Sequence, residues 1–185
     1  MRDFIKLPLI LFLVAVIAGS VLGITNYLTK EPIKYQHELA LKSAREELFE
    51  DCEFEELDDI ALQSGNENVV TVFQAKKNGE LTGHVITMTK TGYGGDIVLN
   101  FGVTTEGILT GVIVGTNSET PGLGAKASEI EFAGQFPGKS NMELVKGKAS
   151  SENEVSAITA ATITSQAIVD GANQAIVVSD LVMEN

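Results

Sequence analysis

Cys52 is the only cysteine in the chain, so no disulfide can form within it. Cys52 also lies in the acidic stretch "EDCEFEELDD", where the surrounding negative charge disfavours the thiolate and with it a reactive role. There is no tryptophan, and aromatic residues make up only 6% of the chain. The core must therefore come from the aliphatic part of a 44% hydrophobic composition. Of the two histidines, His37 falls on a predicted helix and His84 on a predicted strand. Neither belongs to a ligand-like cluster, so no metal site is expected. Cations are scarce: 13 Lys and Arg face 25 Asp and Glu, for a net charge of −12. So acidic a chain is repelled by nucleic acid. The chain has no P-loop and no Gly-x-Ser-x-Gly elbow, and "GYGGD" lacks the spacing and following helix of a dinucleotide fingerprint. No catalytic residue is assigned.

Much of the apolar content is concentrated near the N-terminus. Leu7 to Leu28, "LPLILFLVAVIAGSVLGITNYL", carries no charge and exceeds the roughly 20 residues a helix needs to cross a bilayer core. A cleaved signal sequence has a shorter apolar run and a clear cleavage site, so a retained anchor is expected. Ala18-Gly19-Ser20 and Gly23 form a small-residue strip suited to close packing against another membrane helix, or simply to facing lipid. Arg2 and Lys6 before the span are balanced by Lys30 and Lys34 after it, so charge sets the orientation only weakly. A short N-terminal tail and the lack of further spans make an N-inside anchor the simplest topology. The expected organisation is a cytoplasmic tail (1–6), a transmembrane helix (7–28), a helical linker region (29–66) and one folded domain (67–185), extracytoplasmic.

Residues 31–50 are predicted to form a separate helix, with Pro32 in its first turn and Tyr35, Leu39, Ala44 and Leu48 on one face. The acidic run Glu50 to Asp59 is expected to end it and face solvent; it lacks the spacing of a calcium loop. From Asn68 to Thr116 the pattern is that of strands. "VVTVFQA" and "LTGHVITMTK" are joined at Asn78-Gly79, a strong hairpin signal, and "DIVLNFGVT" and "ILTGVIVGT" are joined at Thr105-Glu106-Gly107. An antiparallel meander follows, with the glycine-rich "KTGYGGD" inside it. Asn117 to Glu129 is a loop, "FAGQFPGKS" a turn, and Lys146 to Ser150 a polar stretch. A last helix is predicted from about Thr162, with Ile163, Ala167, Ile168, Ala172, Ala175, Ile176 and Val182 at helical spacing and Gly171 as its weak point.

The hydroxyl residues Ser156, Thr159, Thr162 and Thr164 crowd the start of that helix. A helix N-terminus offers free N–H groups and partial positive charge, which suits a phosphate. An ordinary Ser/Thr cap accounts for the same residues.

The pattern around them carries a resemblance. "SAITAATITS" resembles the flavinylation motif, Asp-x-x-Ser/Thr-Gly-Ala-Thr/Ser, of the FMN-binding domain family. That family includes the G component of the Rnf ferredoxin:NAD oxidoreductase and the C component of the sodium-pumping NADH:quinone oxidoreductase. Ser156 takes the Asp position, Thr159 the Ser/Thr, Ala160 the Gly, Ala161 the Ala and Thr162 the acceptor. Ser156 and Ala160 depart from the pattern. "ETPGLGAKASE" resembles the family's second signature, and "GYGGDI" the strand-loop before it. The resemblance covers roughly residues 5–180, and the short length fits the Rnf component better. It implies an α+β fold: a single N-terminal transmembrane helix, then an extracytoplasmic FMN-binding domain with an antiparallel sheet and flanking helices. It implies FMN held as a phosphoester on Thr162, with Thr159, Ala160, Ala161, Thr164, Glu119, Thr120, Gly122, Leu123, Gly124, Tyr93, Gly94 and Gly95 around it. The implied function is electron transfer within a membrane complex coupling ferredoxin:NAD oxidoreduction to ion translocation. Implied partners are the other membrane subunits, a flavin transferase and membrane lipid. Two alternatives stay open: a membrane-anchored binding or assembly module without flavin, and the flavin domain of another extracytoplasmic electron-transfer system.

Overall fold

A computed structural model describes residues 2–57 and 66–184. The chain forms two units, Met1–Ala40 and Leu41–Asn185. The described residues of the first are helical throughout. Helix α1 runs unbroken over Arg2–Leu48, with Pro8 and Pro32 inside it. The separate helix predicted over 31–50 is therefore the continuation of the first. Pro32 removes one N–H from the ladder but does not end the helix. The part from Pro8 onward is long and apolar enough to cross a membrane. Its large side chains are open to the surroundings: Phe12 is 67% and Leu22 70% exposed.

The second unit is built on five antiparallel strands in the order β1-β2-β3-β4-β5. These are β1 (Glu53–Glu56), β2 (Val69–Lys77), β3 (Glu80–Thr91), β4 (Asp96–Thr104) and β5 (Leu109–Val114). Asn78 and Gly79 both take positive φ, 54° and 85°, as the tight hairpin turn between β2 and β3 requires. The four predicted strands are present. The fifth, β1, is an addition: it lies within the acidic run expected to end the helix and face solvent, and its glutamates are exposed as expected. Phe54 is its single inward side chain, packed against the cluster of Leu48, Phe49, Ala75 and Val85. Across the β1–β2 pair, Lys76 Nζ meets Glu55 Oε2 at 2.6 Å and holds that carboxyl below its usual range. Asp58 and Asp59, at the end of the run, lie outside the described residues.

Alternation along the strands divides the core. Ile86 and Met88 of β3 and Ile97, Leu99, Phe101 and Val103 of β4 face one side. Helix α3 (Thr162–Glu184) covers that side with Ile168, Val169, Ala172, Ala175 and Ile176. Gly171 is no defect in this helix. A Cβ there would sit 3.1 Å from the Phe101 ring and 3.3 Å from Leu99, so its absence lets helix and sheet pack closely. The opposite face is closed by the last turn of α1, where Arg45 lies 4.1 Å over the Phe73 ring.

Between β5 and α3 come a short 3₁₀ helix (Gly124–Ser128), α2 (Ile130–Ala133), and a parallel pair of three-residue strands, β6 (Glu143–Val145) and β7 (Glu154–Ser156). Phe132 and Phe136 stack edge to face at 5.4 Å and join the core on the α3 side. Asn173 of α3 exchanges two hydrogen bonds with the Met142 backbone, both 2.8 Å. Helix α3 thus spans the sheet. Its N-terminus lies beside the β3–β4 turn, and at its other end Ser179 meets His84 at 2.8 Å.

Candidate functional site

Three segments converge at one end of the sheet. They are the β3–β4 turn (92–95), the loop after β5 (117–124) and the N-terminus of α3. Between them lies a cavity of about 390 Å³ lined by Tyr93, Glu119, Thr120, Leu123, Gly124, Ala160, Ala161, Thr162, Ile163 and Thr164.

The helix start is built as follows. Thr159 and Ala160 form a turn, and Ala160 adopts φ 62°, the left-handed region that favours glycine. Ala161 precedes the first helical residue, Thr162. Its N–H donates to the Ile158 carbonyl at 3.0 Å. Alanine has no side-chain acceptor, so the residue at the capping position cannot cap the first-turn N–H groups itself. The turn is tied down from elsewhere. Ser165 Oγ accepts the Ile158 N–H at 3.0 Å and donates to the Ala161 carbonyl at 2.9 Å.

The hydroxyl residues have separate surroundings. Thr162 is exposed and lines the cavity. Thr164 is fully buried, and its hydroxyl donates to Glu119 Oε2 at 2.7 Å. Thr159 is exposed and is not among the lining residues. Ser156 ends β7, away from the cavity. Its Oγ accepts the Ala149 N–H at 2.8 Å, and its backbone is gripped by Gln135. Ser156 therefore supplies an oxygen acceptor at the position where the family motif has Asp.

On the other walls, Glu119 Oε1 accepts the Gly94 N–H at 2.9 Å. Gly94 itself packs on Ser118, whose carbonyl oxygen would be 2.3 Å from a Cβ. Gly95 and Gly122 take positive φ and shape the turns, and neither lines the cavity. Tyr93, Leu123 and Ile163 are 71%, 40% and 56% exposed and give the lining an apolar component. Ile163, predicted among the apolar positions at helical spacing, is turned out to the cavity instead: with Gln166 and Asp170, three and seven residues on, it lies on the exposed face of α3, while Thr164 and Ser165 of the same turn are buried. Ser165 and Gln135 are supporting residues to which the motifs assign no role. The Ser at i+4 from Ala161 is the available signal.

These residues fit a flavin phosphate. A helix N-terminus with alanine at the capping position, an exposed hydroxyl and an apolar wall meet in one cavity, and both oxygens of its carboxylate accept hydrogen bonds from the protein.

The FMN-binding domain family model matches residues 92–177, and the RnfG N-terminal region model matches residues 3–48. The G component of the Na(+)-translocating ferredoxin:NAD(+) oxidoreductase complex of Acetobacterium woodii is 37% identical over 185 residues, covering 92% of this chain and 89% of that one. The G component of the ion-translocating oxidoreductase complex of Methanosarcina acetivorans is 30% identical over 184 residues, covering 95% and 94%. Among solved structures, the C component of the Na(+)-translocating NADH-quinone reductase of Parabacteroides distasonis superposes with a TM-score of 0.52 at 22% identity, covering 65% of each chain. NqrC of Shewanella oneidensis gives 0.50 at 18%, covering 62% of this chain and 65% of that one. The two structures share the fold. The class so defined is an FMN-binding domain on a five-stranded antiparallel meander, preceded by an apolar helix. The chain belongs to the RnfG family, a component of the ion-translocating, Rnf-type oxidoreductase complexes.

Proposed function

We propose that this chain is the FMN-carrying electron-transfer subunit of a membrane complex that couples ferredoxin:NAD oxidoreduction to ion translocation. In this reading Thr162 Oγ holds FMN as a phosphoester installed by a flavin transferase. The single observation that carries it is Thr162 itself, an exposed hydroxyl at a helix start that lines a cavity walled by the three motif-bearing segments.

The first-turn N–H groups of α3 face the phosphate and stabilise its charge. Ala160 and Ala161 keep that approach free of bulky side chains. Tyr93, Leu123 and Ile163 offer apolar surface to the ring. When bound, FMN supplies the redox chemistry, while the protein supplies attachment, orientation and electrostatics. A covalent link also prevents loss by dilution from a domain facing open medium.

The apolar helix from Leu7 to Leu28 anchors the chain in lipid as a single pass, with the FMN-binding domain on the extracytoplasmic side. The other membrane subunits are its partners. Externally added protease acting on sealed, right-side-out vesicles should then degrade the domain. Protection there, with digestion in inverted vesicles, reverses the topology.

Replacing Thr162 by Ala in cells that also express the flavin transferase tests the attachment. The reading expects flavin fluorescence on a denaturing gel for the unaltered chain and none for the variant. A variant that keeps covalent flavin assigns the link elsewhere. A non-fluorescent unaltered chain favours a module without flavin.

A further inference from the structure

Among the described residues that line the cavity, Glu119 alone carries a carboxylate. It is only 7% exposed, and both its oxygens are engaged with the protein. Oε1 accepts the Gly94 N–H at 2.9 Å, and Oε2 accepts the Thr164 hydroxyl at 2.7 Å. One side chain thus joins the β3–β4 turn, the loop after β5 and the first turn of α3. The packing around it is fitted to this use. A Cβ on residue 92 would lie 2.3 Å from Oε1, and one on residue 124 would lie 2.1 Å from Oε2. Both positions are glycine.

Thr164 is two residues beyond Thr162. At about 100° per residue, side chains two apart on a helix point to nearly opposite sides. Thr164 is fully buried and Thr162 exposed. Fixing the one inward therefore fixes the other outward.

We propose that Glu119 is the positioning residue for modification of Thr162. Its carboxylate anchors Thr164, sets the rotation of the first turn of α3 and so presents the Thr162 hydroxyl. It acts through Thr164 and does not touch the reacting atoms. In the transfer the Thr162 Oγ–phosphorus bond forms and the hydroxyl proton is released. The phosphoanhydride bond of an activated flavin nucleotide breaks, and its other phosphate leaves with the rest of the nucleotide. The inference rests on Thr162 being the acceptor.

The test uses the full chain co-expressed with a flavin transferase, as wild type and as Glu119→Ala, Glu119→Gln and Thr164→Val. Two quantities are read: the modified fraction by intact mass after a fixed induction time, and the thermal midpoint of the unmodified chain. Glu119→Ala and Thr164→Val should be modified at least about tenfold more slowly than wild type, because attack geometry is lost. Glu119→Gln should stay within about threefold, since Gln can accept from Gly94 and donate to the Thr164 oxygen. Thr164→Val should be slowed even where its midpoint matches wild type, which a merely structural role does not produce. If Glu119→Ala does not fold, Thr164→Val carries the test.

Wild-type modification rates in Glu119→Ala or Thr164→Val overturn the proposal. So does a Glu119→Gln chain as slow as Glu119→Ala, which assigns the effect to charge. Wild type that remains unmodified is a different failure. It removes the Thr162 reading, and the inference with it, before any variant is compared.

Discussion

Ser165 Oγ accepts the backbone N–H of Ile158 at 3.0 Å and donates to the carbonyl of Ala161 at 2.9 Å. A fully buried hydroxyl in α3 thereby holds the turn that delivers the chain to the helix start. Ser165→Ala leaves the Ile158 N–H without its partner. An unsatisfied backbone donor of this kind lowers stability by about 1–3 kcal/mol. Denaturant titration should find a loss in that range. A variant as stable as wild type shows that the turn holds without the latch.

Ala160 sits at φ 62°, where a Cβ is unfavourable by about 1–2 kcal/mol. Glycine removes that strain but increases the freedom of the unfolded chain, which offsets about 0.4–1 kcal/mol. Ala160→Gly should therefore raise the thermal midpoint modestly, with covalent flavin retained. A lowered midpoint contradicts the strained geometry of the turn.

Gly124→Ala introduces a Cβ 2.1 Å from Glu119 Oε2 and 2.8 Å from Thr164 Oγ1. The clash falls on a buried hydrogen-bonded pair, so a loss of about 2 kcal/mol or more is expected, together with reduced flavin attachment. Calorimetry and intact mass read the two effects. Wild-type values in both contradict the packing described.

His84 is fully buried, with Nδ1 on Ser179 at 2.8 Å and Nε2 without a partner among the described residues. Burial lowers its pKa. The unfolded chain then binds this proton more readily than the folded one. The stability contributed by neutral His84 is complete above the ordinary value of about 6.5 and declines as pH falls through it toward the lower folded value. Thermal midpoints from pH 7.5 down to 5 should drop more steeply for wild type than for His84→Leu. Parallel curves contradict a buried neutral imidazole.

The meander is legible because its strands alternate strongly and Asn78-Gly79 marks one turn. Strand β1 is not. Glu53-Phe54-Glu55-Glu56 reads as charge, and only its ladder against residues 73–76 of β2 and the single inward Phe54 make it a strand. The continuity of α1 through Pro32 is hidden because proline normally marks a helix start. β6 and β7 are three residues each, too short for any periodicity. At the site, Tyr93, Glu119, Thr120, Leu123, Gly124, Ala160, Ala161, Thr162 and Thr164 of the residues the motifs point to line one cavity, Gly94, Gly95, Gly122 and Thr159 do not, and Ile163 lines it without having been singled out. What each hydroxyl does is not legible. Thr162 and Thr164 differ by two positions in sequence, and only the rotation of the helix separates exposed from buried. Ser165 escapes notice because its partners, Ile158 and Ala161, are backbone groups.

The central claim is that Thr162 bears the flavin. The most direct measurement is peptide mass mapping of the full chain purified from membranes that also contain a flavin transferase. The expected result is an added mass of FMN less one water on the fragment containing Thr162, absent from Thr162→Ala. An unmodified chain, or the same increment located on another residue such as the exposed Thr159, contradicts it.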